Sequence, residues 1–214
     1  MTLAIFDLDG TLADTLKDLA DATNNGLEQL GLPTHPYDSY RFFVGNGAVK
    51  LCERALPEGR KDLTQELHRL FSQYYGAHFF DKTTVYDGVP EMLGRLSEEG
   101  VVLAVATNKP ENFAQTIVAQ LLPGLPFVKV LGGRSDREKK PDPAIIREIL
   151  RDLPHEPESC FMIGDSSVDI ETAKNSGLIS IGCPWGFRGE EELRRAGADF
   201  IAGSPAEIAD IILR

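Results

Sequence analysis

Short apolar runs recur along the chain at 2–6, 101–106, 127–131, 160–163 and 179–181, with a weaker one at 200–201. Several are apolar throughout instead of alternating with polar residues, so both faces of each strand must be covered. Amphipathic segments at 88–99, 111–122, 143–153, 168–176, 190–196 and 205–213 lie between these runs or close the chain, and read as the covering helices. The expectation is an α/β fold with a doubly wound parallel sheet.

One crossover breaks this rhythm. Residues 12–84 separate the first run from the region before the second, too long a stretch for a single crossover helix. Leu12, Leu16, Leu19, Thr23, Leu27 and Leu30 recur at steps of three and four, as do Leu63, Leu67, Leu70, Phe71 and Tyr74, so the insert is helical. The reading is a small α-helical domain at 14–84 inserted after the first strand of a core formed by 1–13 and 85–214. A long helical hairpin packed on the sheet is the plainer alternative. The crossings near Ala13 and 84–87 would be the hinge.

Composition narrows the function classes. The 22 Lys and Arg against 33 Asp and Glu leave a net charge of -11, which disfavours nucleic acid and anionic lipid as partners. No window approaches the length of continuous apolar residues that a membrane span needs. Asp7, Asp9 and Asp14 follow the first apolar run at once, unlike a secretory leader, and Cys52, Cys160 and Cys183 show no C-x-x-C spacing. A reducing cytoplasm is expected.

In an open parallel sheet, ligands bind beyond the carboxyl ends of the strands, and those ends are polar here. They read Asp7-Leu8-Asp9-Gly10-Thr11, Thr107-Asn108-Lys109 and Gly164-Asp165-Ser166-Ser167-Val168-Asp169, with Lys139-Lys140-Pro141-Asp142 before a helix. Two carboxylates about 4 Å apart repel by roughly 4 kcal/mol at an effective dielectric near 20, so Asp7, Asp9 and Asp165 gathered at one edge require a counter-charge. Carboxylate oxygens without nearby Cys or His suggest magnesium, which commonly shares its shell with substrate phosphate. Thr107 and Asn108 would sit where a strand turns into a helix N-terminus, suited to an anion. Lys140 would supply fixed positive charge, Lys139 is an ordinary surface residue, and Asp142 caps the next helix. His35, His68, His78 and His155 have no ligand spacing.

These four segments, in this order and across nearly the whole chain, resemble the haloacid dehalogenase superfamily of phosphatases, and the insert resembles the helical cap of members that act on small, diffusible substrates. The resemblance implies that Asp7 attacks phosphorus and forms an aspartyl-phosphate, while Asp9 protonates the leaving oxygen and then takes a proton from water. Asp9, two residues on, is expected on the same side of an extended strand as Asp7. Mg2+ would be held by the carboxylates of Asp7 and Asp165 and the backbone carbonyl of Asp9, with Asp169 supporting from one helical turn away. Thr107, the Asn108 amide and Lys140 would hold the phosphoryl oxygens, and the Thr11 hydroxyl would orient Asp9.

Gly45-Asn46-Gly47 resembles the loop that phosphoglycolate phosphatases present from the cap toward the substrate, though the same triplet makes an ordinary turn. Trp185-Gly186-Phe187 carries a similar resemblance beside a plain packing role. Asp87 stands where many members have proline and is expected to cap the helix that follows. The implied activity is hydrolysis of a small phosphorylated metabolite, 2-phosphoglycolate foremost, by a monomer or homodimer. Alternatives are a sugar phosphomutase, a sugar-phosphate or pyrophosphate phosphatase, and a non-enzymatic phospho-aspartate signalling or phospho-ligand binding module.

Overall fold

The computed structural model describes every residue except His155, so the expectation for that histidine lies outside the described residues. The chain divides into two compact units, Met1–Ala13 with Val85–Arg214, and Asp14–Thr84.

The first unit is built on β1 (Thr2–Phe6), leaves through β2 (Ala13–Asp14) and returns through β3 (Thr84–Val85). It continues with β4 (Val102–Pro110), β5 (Phe127–Gly133), β6 (Ser159–Gly164), β7 (Ile179–Gly182) and β8 (Phe200–Ile201). Six of these form one sheet in the order β5-β4-β1-β6-β7-β8, with parallel pairs throughout. Strand order runs outward from β1 to β4 and β5, then restarts at β6 on the other side. β1 therefore lies at the switch point, where the carboxyl edge of such a sheet opens a ligand crevice.

The all-apolar runs are explained by double burial. Leu3 and Ile5 face one side with Ala104, Ala106, Leu131 and Met162, under Ile145, Ile146, Ile149 and Ala173. Their neighbours Ala4, Phe6, Leu103 and Val105 are equally inaccessible. Burial of each of the larger side chains among them, Leu, Ile, Val, Met or Phe, stabilises the fold by about 1.5–3 kcal/mol.

In the second unit, α1 (Leu16–Gln29), α2 (Tyr37–Phe43), α3 (Ala48–Ala55) and α4 (Thr64–His78) make a four-helix group, with a 3-10 turn at Lys61–Leu63. Periodicity showed only the two long helices, because α2 and α3 last two turns and give too few repeats to register. Leu12 falls outside α1, in the turn that precedes it. α1 and α4 approach closely at Gly26, where a Cβ would lie 2.7 Å from the Leu67 Cδ1. Asp18, buried near the start of α1, accepts bonds from the N–H of Lys82 (2.9 Å), the N–H of Thr83 (2.9 Å) and the Thr83 hydroxyl (2.8 Å), tying down the end of the unit.

The remaining helices belong to the first unit: α5 (Val89–Glu98), α6 (Glu111–Leu121), α7 (Ala144–Arg151), α8 (Ser167–Ser176), α9 (Gly189–Ala196) and α10 (Pro205–Ile212). Pro143, not Asp142, occupies the cap of α7, but the Asp142 side chain accepts from the first helical N–H, that of Ala144, at 2.8 Å. Asp87 does not cap α5. Val89 N–H bonds to the Tyr86 carbonyl, and the resulting turn puts Gly88 at the cap with φ 81°, a conformation that favours glycine. Among the described residues no helix is long and apolar enough to cross a membrane.

Candidate active site

The backbone carries Asp7 and Asp9 differently. Asp7 prolongs β1, its N–H donating to the Ile163 carbonyl at 2.8 Å. The chain then turns sharply: the N–H groups of Leu12 and Ala13 both donate to the Leu8 carbonyl at 3.0 Å, and Gly10 N–H donates to Ala13. Gly10 has φ 86°, and a Cβ there would lie 2.3 Å from Asp165 Oδ2. Asp9 thus sits on a tight turn, and the expectation that strand alternation places it is corrected.

Thr107 and Asn108 lie within β4, with α6 starting only at Glu111, so their expected place at a helix N-terminus is also corrected. Pairing of β4 with β5 lapses between Ala106 and Pro110, which lifts Thr107, Asn108 and Lys109 out of the regular ladder. The Asn108 side chain clasps the backbone of Lys140, accepting its N–H at 2.9 Å and donating to its carbonyl at 3.1 Å. The Thr107 hydroxyl accepts the Lys109 N–H at 3.2 Å.

β6 delivers Asp165, and α8 opens with a capping box in which Asp169 Oδ2 accepts from the Ser166 N–H (3.1 Å) and hydroxyl (2.7 Å). The other oxygen of Asp169 accepts from Lys140 Nζ at 2.6 Å, and the same ammonium stands 3.0 Å from Asp7 Oδ1. With both oxygens engaged, Asp169 acts as a brace for Lys140. Asp7, Asp165 and Asp169 are all buried, and an oxygen from each lies within 4.8 Å of the others.

Burial and mutual charge set the electrostatics of this cluster. Burial, opposed by Lys140 and reinforced by Asp169 and Asp9, lifts the Asp7 carboxyl to about 6. Burial, with Asp169 and Asp7 adding to it, holds Asp165 well above the usual carboxylate range. Burial alone would push the Lys140 ammonium down, but Asp169 and Asp7 outweigh it and raise the group. Asp7 Oδ1 is buried and makes no aligned hydrogen bond despite its nearness to Lys140.

When ionised, the four carboxylates of Asp7, Asp9, Asp165 and Asp169 outnumber the cations that act on them, the Lys109 and Lys140 ammoniums and the Arg188 guanidinium whose charge reaches Asp165. An all-oxygen donor set, an under-bonded carboxylate oxygen and a surplus of negative charge fit a hard divalent cation such as Mg2+.

Three contributors were not assigned from sequence. Lys109, nearly inaccessible, donates through Nζ to Asp9 Oδ1 at 2.9 Å. Phe187 N–H donates to Asp165 Oδ2 at 2.6 Å, and a Cβ at Gly186 would meet both the Asp165 Cβ and the Gly10 carbonyl at 2.3 Å. Trp185 Nε1 donates to the Thr11 carbonyl at 3.2 Å. The 185–187 segment therefore packs under the acids, and its aromatic-glycine composition was the available signal. The Thr11 hydroxyl is buried and bonds to no described residue, so it does not orient Asp9. Gly45, Asn46 and Gly47 belong to the helical unit, between α2 and α3; Arg54 donates to the Asn46 side chain at 2.7 Å and to the Phe43 carbonyl at 3.0 Å. Among the described residues no histidine joins the acid cluster: His35 bonds to the Ala55 carbonyl, His68 stacks on Phe71, and His78 pairs with Asp81.

Comparison with known proteins places this geometry. The haloacid dehalogenase-like hydrolase family profile matches residues 4–183. A phosphoglycolate phosphatase of Vibrio parahaemolyticus is 35% identical, the match covering 98% of this chain and 95% of the relative. One from Vibrio vulnificus is 36% identical over 99% and 96%. Among solved structures, a predicted phosphoglycolate phosphatase from Haemophilus somnus superposes with a TM-score of 0.87 at 32% identity, covering 98% of this chain and 96% of the other. A haloacid dehalogenase-like hydrolase from Streptococcus pneumoniae reaches 0.88 at 25% identity, covering 99% and 98%. By its matched profile, near full-length relatives and shared fold, the chain belongs to the haloacid dehalogenase-like hydrolase family.

Proposed function

We propose that the protein is a Mg2+-dependent phosphatase that hydrolyses a small phosphate monoester, 2-phosphoglycolate foremost, through an aspartyl-phosphate on Asp7. The observation that carries this reading is the buried cluster of Asp7, Lys140, Asp169 and Asp165 at the carboxyl edge of the sheet. The substrate assignment draws support from relatives matched over nearly their whole length and named phosphoglycolate phosphatase.

In the first step an electron pair of the Asp7 carboxylate forms the bond to phosphorus. The ester P–O bond breaks toward the leaving oxygen, which takes a proton from Asp9. In the second step Asp9 removes a proton from water, the water oxygen bonds to phosphorus, and the Asp7 carboxylate departs. Lys140, braced by Asp169 and clasped by Asn108, keeps positive charge beside Asp7 and the phosphoryl oxygens. Thr107 adds a hydroxyl donor to the same group. The carboxylates of Asp7 and Asp165 and the Asp9 carbonyl would hold Mg2+, which supplies neutralisation of phosphoryl charge. The helical unit at 14–84 serves as a cap that limits access of water, and its Gly45-Asn46-Gly47 loop reads the non-phosphate end of the substrate. Free thiols at Cys52, Cys160 and Cys183 fit a reducing cytoplasm.

The test is kcat/KM with Mg2+ across 2-phosphoglycolate, hexose phosphates, nucleotides and pyrophosphate. The highest value is expected for 2-phosphoglycolate. A tenfold preference for any other class would replace the substrate assignment, and absence of phosphate release from all of them would remove the phosphatase reading.

A further inference from the structure

Lys109 is a buried cation that the reaction as written does not use. Its side chain is 1% exposed, and its Nζ lies 2.9 Å from Oδ1 of Asp9, whose side chain is 13% exposed. Burying an ammonium costs several kcal/mol unless it is paired and hydrogen-bonded, so a lysine here persists through what its head group holds.

The main chain is also fixed around it. Lys109 N–H is bonded to the Thr107 hydroxyl, and a Cβ at Gly132 would lie 2.5 Å from the Lys109 carbonyl, so the lapse in β4 nests against bare backbone on β5. The segment that departs from the ladder thereby aims its lysine at the turn bearing Asp9, a hundred residues away in sequence.

We infer that Lys109 is the positioning residue for Asp9: its ammonium holds the carboxyl group through Oδ1 in the orientation from which it exchanges a proton with the leaving group and with water. The inference rests on the acid–base role of Asp9 proposed above. The site then contains two lysines with separate tasks, Lys140 at the nucleophile and Lys109 at the proton carrier. A proton carrier must meet the reacting oxygen at hydrogen-bond distance. A carboxyl group that swung between orientations would meet that oxygen only part of the time, and the ion pair at Oδ1 limits this.

The proton matters most when the leaving group is a poor one. Departure of the alkoxide of 2-phosphoglycolate needs protonation, whereas departure of 2,4-dinitrophenolate scarcely does. The readout is therefore the ratio of kcat/KM for 2-phosphoglycolate to that for 2,4-dinitrophenyl phosphate, since kcat/KM reports formation of the phosphoenzyme for both. At saturating Mg2+, Asp9→Asn should lower this ratio by about 10²-fold, the low end for acid catalysis, and Lys109→Met by about 10-fold. Lys109→Arg, which restores a cationic donor, should return the ratio to within about threefold of the parent. If Lys109→Met does not yield folded protein, Lys109→Gln serves in its place with the same expectation.

If both substrates lose the same factor in the Lys109 variant while Asp9→Asn shows the split, Lys109 is merely structural and the inference fails alone. An unchanged ratio in the Lys109 variant beside a collapsed one in Asp9→Asn also overturns it alone. A ratio unchanged in Asp9→Asn removes the acid role of Asp9, and the inference with it.

Discussion

Both units of the chain bury aspartates, and they treat them in opposite ways. Asp18 in the helical unit is 2% exposed and Asp165 in the α/β unit 3%. Asp18 is met by backbone N–H groups and a hydroxyl of the segment that ends its own unit, so its lone pairs are filled by neutral donors that the fold itself provides. Asp165 has one backbone donor, from Phe187, and the Arg188 charge on its side, but two further acids, Asp7 and Asp169, press on it. Burial of an acid therefore does not mark a site; what marks it is a partner set that leaves negative charge over.

The contrast can be broken at several points. Asp7→Asn should lower turnover by at least about 10³-fold, as loss of a covalent nucleophile does, and steady-state kinetics that show less than tenfold loss would place the nucleophile elsewhere. Asp18→Ala should instead act on stability, costing about 2–4 kcal/mol by leaving several donors unpaired, read as a lower midpoint in chemical denaturation. An Asp18→Ala protein as stable as the parent would erase the distinction between the two acids.

Gly186→Ala pushes a Cβ against Asp165 and the Gly10 carbonyl; on the proposed Mg2+ site this disturbs the support of a ligand, which typically weakens affinity 10- to 100-fold. Calorimetric titration with Mg2+ should show a loss of about that size, and unchanged affinity would take the 185–187 segment out of the metal site.

A pH experiment sharpens the same point. Because the folded-state value of Asp7 is raised to about 6, the folded protein holds a proton that the unfolded chain releases near its ordinary value of about 4. Stability from this group is therefore present at acid pH and declines as pH rises from about 4 to about 6. In chelator, thermal melts of Asp7→Asn should decline less steeply over that window than those of the parent, and equal slopes would mean that Asp7 is not strained by its neighbours. The smallest effect belongs to the exposed pair of Glu191 and Arg195 on α9. Glu191→Ala should leave both the melt and turnover unchanged within error.

Much of the α/β unit was legible because strands buried on both faces have no polar alternation to blur them, and because the acids at their ends interrupt apolar runs abruptly. Asp7, Asp165 and Lys140 were legible for that reason. Asp9 lies near enough for its charge to act on Asp7, but strand alternation does not place it, since it sits on the turn at Gly10, where only glycine fits against Asp165, far along the chain. The displacement of Thr107 and Asn108 into a strand depends on how β5 meets β4, and no local pattern records it. Lys109 was invisible for a related reason: a lysine after an apolar strand reads as solvated, and only the fold brings Asp9 to it. Asp87 failed as a helix cap because a neighbouring glycine accepts the left-handed conformation more cheaply.

The central claim is that Asp7 carries the phosphoryl group during turnover. Quenching the working enzyme with borohydride, which reduces an acyl phosphate to an alcohol, and sequencing the peptides by mass spectrometry tests it directly. The account predicts homoserine at position 7, dependent on both substrate and Mg2+; unmodified Asp7 during full turnover, or reduction at another aspartate, would contradict it.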